Sequence, residues 1–204
     1  MCGRYQAWVD DDELVRIIER EKKGNALRYF RQNEVFPGSA IPVIYGSYAN
    51  VRAHISTWGY RAGSEENSGK LIINARAESA ADKPLFKHAA ANTVHTERRI
   101  LVLTSGYYEW KEEDGTKKKR RCHIKPPRDG AALLLCGLEA DQPDGTRRHV
   151  ILTTEAQGSA AEVHHRMPLF CPREEMRNWL YDTDFALRFL RKKIGCDLML
   201  KYAE

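Results

Sequence analysis

Short β-prone segments recur through the middle of this 204-residue chain and limit the folds that it can adopt. Their β-branched and aromatic residues favour strands, and the glycine, serine and asparagine residues between them favour turns. The segments are residues 41–45, 51–58, 71–74, 99–103, 107–111, 121–125, 131–135 and 149–153. They lack the regular strand–helix alternation of a parallel doubly wound sheet. The pattern therefore predicts a mostly antiparallel sheet that curls toward a barrel.

Helical patterns surround these strands. Residues 10–23 begin with acidic residues, which favour a helix N-terminus, and continue as an amphipathic helix that Gly24 and Asn25 end. One short helix is also predicted at residues 79–90, another at residues 172–180, which start with Pro172, and a further one near residues 184–193. No fixed-period repeat or Pro/Ser-rich linker divides the chain, so we predict a single β-rich α+β domain over residues 1–204.

The composition excludes several classes of protein. The longest nearly apolar stretch, residues 131–138, is far shorter than the roughly 20 residues that span a bilayer, and the N-terminus lacks the apolar core of a secretory signal. The five cysteines show no Cys-x-x-Cys spacing and indicate free thiols in a reducing compartment. We therefore expect a cytoplasmic protein without membrane contact.

The charge pattern permits nucleic-acid binding without establishing it. The formal net charge is +5, and residues 117–121 are all basic after an Asp114-Gly115 turn. This segment is typical of a solvated hairpin tip. Beside a nucleic acid, it would attract phosphates without reading sequence.

Cys2 directly follows the initiator methionine, and a small residue at this position favours removal of Met1. The mature chain would then begin with an α-amine of pKa about 8 beside a thiol of pKa about 8.5. Such an amine forms a Schiff base with an aldehyde, and the thiol can close a five-membered thiazolidine ring on it. A second-position cysteine without any function is the alternative.

Residues 74–78 end an apolar run with three polar side chains. In a strand, Asn74, Arg76 and Glu78 share one face because side chains alternate. Asparagine can orient an amine or a carbonyl, and arginine can grip a phosphate through two hydrogen bonds. The solvated face of an edge strand is the alternative.

Residues 106–110 place a carboxylate among aromatic rings. The two-residue period puts Tyr107, Glu109 and Lys111 on one side of a strand and Tyr108 and Trp110 on the other. A carboxyl group in such surroundings suits general acid–base chemistry. A hairpin with aromatic packing and Glu109 in water is the alternative.

The adjacent histidines His164 and His165 lie in a loop-like segment, because Pro168 disfavours helix at Met167. Histidine moves protons near neutral pH. Adjacent residues of an extended chain point in different directions, so these two do not share one role or one metal ion. No standard ligand spacing lies nearby, and we expect neither a metal nor a cofactor; a structural histidine pair is the alternative.

Together these segments resemble the SRAP family of SOS-response-associated peptidases, or abasic-site processing proteins. The matching motifs occur in family order at residues 1–5, 33–38, 58–60, 74–78, 106–110 and 164–168. The resemblance implies a barrel-like, β-rich α+β fold. It also implies a protein that recognises abasic sites in single-stranded DNA and joins the ring-opened sugar covalently through the mature N-terminal Cys2. The thiazolidine crosslink would shield the lesion from strand cleavage.

The resemblance implies a role for each residue of the reaction centre. Asn74 would orient the α-amine of Cys2, and Glu109 would act as general acid and base in ring opening and imine formation. His164 would move a proton at the sugar hydroxyl or imine stage. The family pattern His-x-Arg-Met-Pro favours His164 over His165 for this role.

The resemblance also implies contacts with DNA: arginines for phosphates, tryptophans near exposed bases, and an apolar wedge between the strands. The residues are Arg4, Arg76 and Arg166 for phosphates, Trp58 and Trp110 for bases, and Leu85 and Phe86 for the wedge. The expected protein is a bacterial monomer that associates with the nucleoid when bound to DNA.

Two segments depart from the family pattern. Thr104-Ser105 stands where a Pro-Ala pair is common, a change that we expect to be harmless. The last 25 or so residues lack the usual Val-Ser-containing strand segment and stay unassigned.

Two other functions remain open. One is an N-terminal-nucleophile peptidase or amidohydrolase, in which the Cys2 thiolate attacks a carbonyl and its own α-amine is the base. Removal of Met1 by the protein itself would be a reaction of this type. The other is a binding module without chemistry. The arginines favour DNA over a peptide, and so favour the crosslinking, lyase-type function.

Overall fold

The structure, a computed structural model, describes residues 2–7, 12–21, 34–48, 50–61, 71–93, 97–113, 118–142, 144–192 and 198–202. The strands are β1 (Tyr5–Gln6), β2 (Ala40–Ser47), β3 (Asn50–Trp58), β4 (Tyr60–Arg61), β5 (Leu71–Ile72), β6 (Asn74–Arg76), β7 (Glu97–Thr104), β8 (Gly106–Glu112), β9 (Lys119–Lys125), β10 (Leu133–Asp141), β11 (Arg147–Glu155), β12 (Arg166–Pro168), β13 (Phe170–Cys171) and β14 (Met199–Tyr202). The helices are α1 (Asp12–Glu21), α2 (Ala77–Ala80), α3 (Lys87–Ala91), α4 (Met176–Tyr181) and α5 (Thr183–Phe189).

Five strands close into a ring. Strands β3, β2, β7, β10 and β11 are neighbours in that order, and β11 pairs again with β3. These pairs are antiparallel except for β11 with β3, and β6 also runs parallel beside β11. A second sheet has the order β1-β8-β9-β14. The prediction of a mostly antiparallel, barrel-like sheet in an α+β domain is confirmed.

Alternate residues of the ring strands enter two different hydrophobic clusters. Ile44 packs with residues of the helices, whereas its neighbour Val43 packs with Tyr5 and Tyr107 of the second sheet. A five-stranded ring cannot hold helices inside, so the helix-covered face is the outside. The second sheet therefore contributes its side chains to the cluster inside the ring.

A buried polar cluster occupies the same interior face. Glu139 accepts hydrogen bonds from His54 at 2.8 Å and lies 3.4 Å from the Arg98 guanidinium. Burial opposes its ionisation, but these partners outweigh burial and hold the pKa of Glu139 below its usual value. Nearby, His149 lies 3.0 Å from the Ser56 hydroxyl, and burial lowers the pKa of this imidazole to about 4. The charge of Glu139 in this cluster is thus paired.

Arg99 connects the ring to the helices outside it. Its guanidinium donates to the main-chain oxygens of Trp179 at 2.6 Å and Ala90 at 2.8 Å, and its side chain is fully buried. Burial lowers the pKa of Arg99 to about 10, so the group stays charged at neutral pH. Helices α3 and α4 are therefore fixed relative to β7 by one cation.

The predicted elements differ from the observed ones mainly at their ends. The helix predicted at residues 79–90 is instead two short helices, α2 and α3, joined by turns, and residues 172–180 begin as a 3₁₀ turn over Arg173–Glu175 before α4. The unassigned C-terminal segment supplies β14, which pairs antiparallel with β9. Gly24, Asn25 and residues 114–117 lie outside the described residues. None of the described helices is long and apolar enough to cross a membrane.

Gly106 is required where β8 passes close to β9. A Cβ atom at this position would lie 2.6 Å from His123 Nε2 and 2.9 Å from the Ile124 carbonyl oxygen. We expect Gly106→Ala to lower the free energy of unfolding by about 1–3 kcal/mol, because the main chain of β9 must move. Urea denaturation measures the loss, and an unchanged midpoint would contradict the close approach.

Candidate functional site

The N-terminal segment is held against the second sheet. Tyr5 pairs with Tyr107, and Tyr108 N–H donates to the Arg4 carbonyl oxygen at 2.8 Å. The Gln6 carbonyl oxygen accepts from the Thr104 hydroxyl and from Ser105 N–H. Thr104 and Ser105, the pair that departs from the family pattern, thus hold β1 in place. These contacts bring Cys2 into the interior cluster, where it is 1% exposed.

Asn74 contacts Cys2 directly. Its side-chain Nδ2 donates to the Cys2 carbonyl oxygen at 2.8 Å, and its place on β6 is fixed by pairing with Ile151 of β11. A carbonyl oxygen can only accept, so this contact determines which way the Asn74 amide faces. The other amide atom, Oδ1, is buried and has no hydrogen-bond partner among the described residues. An unpartnered acceptor therefore lies near the main chain of Cys2.

Glu109 is close enough to Cys2 and to His164 to change the ionisation of both. Burial and then the negative charge of Glu109 raise the pKa of the Cys2 thiol to about 12. At His164, burial lowers the pKa of the imidazole and the charge of Glu109 opposes this effect. The structure thus brings together a thiol, a carboxylate and an imidazole, with the thiol protonated and the imidazole neutral near pH 7.

His164 has a defined orientation. Its Nδ1 accepts from the Arg166 main-chain N–H at 2.9 Å in one tautomer and donates to the Arg166 carbonyl oxygen at 3.2 Å in the other, and its ring stacks on that of His165 with centroids 4.3 Å apart. Either tautomer is therefore held by the Arg166 main chain. The two adjacent histidines therefore differ: His164 is half-buried beside Glu109, and His165 is exposed.

Arg166 is engaged by the protein itself. Its Nη1 and Nη2 donate to Glu78 Oε1 at 2.8 Å and Glu78 Oε2 at 2.9 Å, and Nη2 also contacts the Thr153 carbonyl oxygen. Glu78 is not on the strand face that the sequence suggests. The strand ends at Arg76, and Glu78 lies in the first turn of α2.

The other two arginines differ in their exposure to solvent. Arg4 lies 3.2 Å from Glu34, and its guanidinium packs over the rings of Phe36 at 4.4 Å and Trp110 at 5.0 Å. Arg76 is exposed at the end of β6, and no described residue forms a hydrogen bond or ion pair with its side chain. Arg76 is thus the most available of the three for an anion.

The aromatic and apolar residues expected to contact DNA fall into two groups. Trp58 is fully buried, donates from Nε1 to the Ile73 carbonyl oxygen at 2.9 Å and packs against Tyr5. It is a core residue of the ring interior, and its face is not available to a base. Trp110 is half-buried beneath Arg4.

The two residues expected to form the apolar wedge also differ in burial. Leu85 is 46% exposed, whereas Phe86 is 4% exposed and packs against the ring of Tyr60. Only Leu85 projects from the surface. Phe86 is held inward because it starts α3, which packs on the outer cluster.

Sequence reasoning missed Glu34. This carboxylate pairs with Arg4 and also contacts Arg121, whose guanidinium packs 4.0 Å from the centroid of the Tyr108 ring. Glu34 and Arg121 are far apart in sequence, and neither forms a recognisable pattern with the other. Pairing across the second sheet brings them together. Among the described residues, no group of three or more His, Cys, Asp or Glu side chains is arranged to hold a metal ion.

A family model described as SOS response associated peptidase (SRAP) matches residues 1–194. Curated relatives include the abasic site processing protein YoqW of Bacillus subtilis, 26% identical over 187 residues that cover 88% of this chain and 80% of YoqW. The abasic site processing protein YedK of Escherichia coli is 27% identical over 191 residues, covering 88% and 79% of the two chains.

Two solved structures have a similar fold. A protein from Bacteroides thetaiotaomicron superposes with a TM-score of 0.77 at 18% identity, covering 100% of this chain and 92% of the other. A phage-related protein from Bordetella bronchiseptica gives a TM-score of 0.75 at 24% identity, with 99% and 94% coverage. The ring and the second sheet are thus shared with chains of very different sequence.

Proposed function

Because the chain belongs to the SOS response associated peptidase (SRAP) family, we propose that it processes abasic sites in single-stranded DNA by joining them covalently through Cys2. The names of the curated relatives support the abasic site as target. The observation that carries the covalent step is the environment of Cys2, which is bound by Asn74 and lies close to Glu109. We propose that the protein acts as a monomer in the bacterial cytoplasm.

The proposed reaction is a condensation that balances without a cofactor. Once Met1 is removed, the α-amine of Cys2 adds to the aldehyde carbon of the ring-opened sugar and the adduct loses one water molecule to give an imine. The Cys2 sulfur then bonds to the imine carbon, and the thiol proton passes to the imine nitrogen. The product is a thiazolidine, which persists longer than the imine because a second bond closes the ring.

The ionisation of the site supports attack by the amine before the thiol. A thiol with a pKa of about 12 is almost entirely protonated near pH 7, whereas an ordinary α-amine is partly neutral there. The unpartnered Asn74 Oδ1 is suited to accept an N–H of that amine and to direct its lone pair toward the aldehyde.

Glu109 and His164 supply the proton transfers in this proposal. Opening the sugar ring needs a proton on the ring oxygen, and loss of water needs one on the departing hydroxyl. The closeness of Glu109 to Cys2 supports its role in these steps, and the imidazole of His164 is the second group for proton transfer. Both groups are held by strands or strand ends, which keeps their geometry fixed.

We propose that Arg76 binds a DNA phosphate, and we expect Arg76→Ala to weaken binding to undamaged single-stranded DNA. Loss of one phosphate contact lowers the slope of log K against log salt concentration by about 0.7. Arg166→Ala should change this slope less, because Glu78 already neutralises that guanidinium. Fluorescence anisotropy at several salt concentrations measures both slopes, with the exposed Arg188→Ala on α5 as a matched control. Equal slopes for Arg76→Ala and Arg188→Ala would rule out the contact.

Intact-mass analysis tests the proposed function as a whole. The purified protein is measured before and after mixing with a single-stranded oligonucleotide that carries one abasic site, beside an undamaged strand. We expect a mass without Met1 that increases by one oligonucleotide less one water, only with the damaged strand. A protein that lacks Met1 and forms no adduct would overturn the proposal and favour the amidohydrolase.

A further inference from the structure

Glu78 has no part in the chemistry above, yet it is joined to His164 through Arg166. We propose that Glu78 is a positioning residue, which fixes Arg166 and through it the orientation of His164. This inference rests on the proposed function, since it concerns the same reaction centre. Its evidence is a continuous chain of hydrogen bonds.

The first link is the ion pair between Glu78 and Arg166. The two carboxylate oxygens accept from the two terminal nitrogens of the guanidinium at 2.8 and 2.9 Å, and Glu78 Oε1 also lies 3.4 Å from the Thr154 hydroxyl. Paired parallel hydrogen bonds fix the plane of the guanidinium as well as its distance. These bonds outweigh the effect of burial and keep the pKa of Glu78 below its usual value, so the pair is intact at neutral pH.

The second link is the main chain of Arg166. Its N–H donates to Nδ1 of His164, and its Cα pairs with that of Glu155 at the edge between β12 and β11. The Arg166 side chain returns to the same strand, where Nη2 contacts the Thr153 carbonyl oxygen. Both the main chain and the side chain of Arg166 are therefore attached to β11. A shift of Arg166 would move the main-chain N–H and carbonyl oxygen that contact Nδ1 of His164, and with them the ring.

A charged group that merely shields the DNA-binding face would have a different effect. If Glu78 acted only by neutralising Arg166, its removal would expose a free guanidinium and strengthen DNA binding without slowing the chemistry. If Glu78 positions His164, its removal slows the chemistry whatever happens to affinity. Rate and affinity must therefore be measured separately.

Single-turnover crosslinking with excess abasic-site oligonucleotide measures the rate of the chemistry separately from the affinity for DNA. For Glu78→Gln we expect the rate at saturating DNA to fall by about tenfold to a hundredfold, since small misplacements of a reacting group have effects of this size. The DNA concentration at half-maximal rate should stay the same or fall. Glu78→Asp keeps the charge and should recover part of the rate. Glu174→Gln, an equivalent change at an exposed site, should behave like the wild type.

A double variant tests whether Glu78 acts through Arg166. Arg166→Lys cannot form the paired contact, so Glu78→Gln combined with Arg166→Lys should be no slower than the slower single variant. Multiplicative losses would overturn the inference, and so would an unchanged rate for Glu78→Gln. The final extent of crosslinking gives the folded, active fraction, so a variant that is merely unstable shows a smaller extent at a normal rate.

The outcomes also separate this inference from the proposed function. A wild-type protein that forms no crosslink overturns both. A wild-type protein that forms crosslinks, with a Glu78→Gln variant of equal rate, overturns only the role of Glu78.

Discussion

Cys2→Ala is expected to abolish the stable covalent adduct with abasic-site DNA and to leave salt-sensitive noncovalent binding largely intact. Alanine is also small, so Met1 is still removed and the α-amine is still free. The amine can form an imine, but no thiol is present to close the ring, and an imine hydrolyses. The arginines that we expect to bind phosphate are unchanged, so affinity should persist.

A denaturing gel and the intact mass measure this loss. Borohydride reduction adds a sharper test: it should trap the imine in Cys2→Ala as a reduced adduct, while an untreated sample shows none. Cys136→Ala removes another buried thiol, on the outer face of the ring, and should crosslink like the wild type. A stable adduct from untreated Cys2→Ala would overturn the thiazolidine mechanism.

Glu109→Gln is expected to slow crosslinking by about a hundredfold while DNA affinity changes little. The substitution keeps the size of the side chain but removes its capacity to donate and accept a proton, and general acid–base groups contribute rate factors of roughly this size or more. It also removes the negative charge that raises the pKa of the Cys2 thiol. More thiolate would then form at a given pH.

Whether Glu109→Gln raises or lowers the crosslinking rate therefore shows which step limits the reaction. If formation of the thiolate limited the reaction, Glu109→Gln would speed it up. If proton transfer by Glu109 is limiting, the rate falls. Single-turnover rates decide between the two, with Glu112→Gln as the control, since Glu112 is exposed on the same strand. A large loss of affinity with an unchanged rate would instead assign Glu109 a structural role.

Much of the architecture follows from local patterns in the sequence. Seven of the eight β-prone segments lie in β2, β3, β7, β8, β9, β10 and β11, because their β-branched and aromatic side chains suit a surface with alternating faces. Residues 71–74 are divided between β5 and β6. Strands β1, β12 and β13 are only two or three residues long and carry no such pattern. They form because a longer strand beside them supplies hydrogen bonds.

In the candidate site, too, some features follow from local sequence and others only from tertiary contacts. The sequence identified Cys2, Asn74 and Glu109 by chemical type, and the structure brings them together. It did not identify the pairing of Glu78 with Arg166, because these residues are 88 positions apart. Their contact depends on α2 starting beside β11, which only the pairing of β6 with β11 produces.

Burial was decided entirely at the tertiary level. Aromatic side chains such as those of Trp58 and Phe86 are typical of nucleic-acid-binding surfaces, yet both residues belong to the core. Trp110 is half-buried and Leu85 is exposed. The two-residue alternation of a strand predicts that neighbouring side chains face opposite ways, but it does not say which face lies inside. Local sequence was enough to predict the strand positions and the chemistry of the motifs, since both depend on neighbouring residues. Closure of β11 against β3 determined which side of each strand became the interior, because that contact joins residues about 90 positions apart and buries one whole face of the ring.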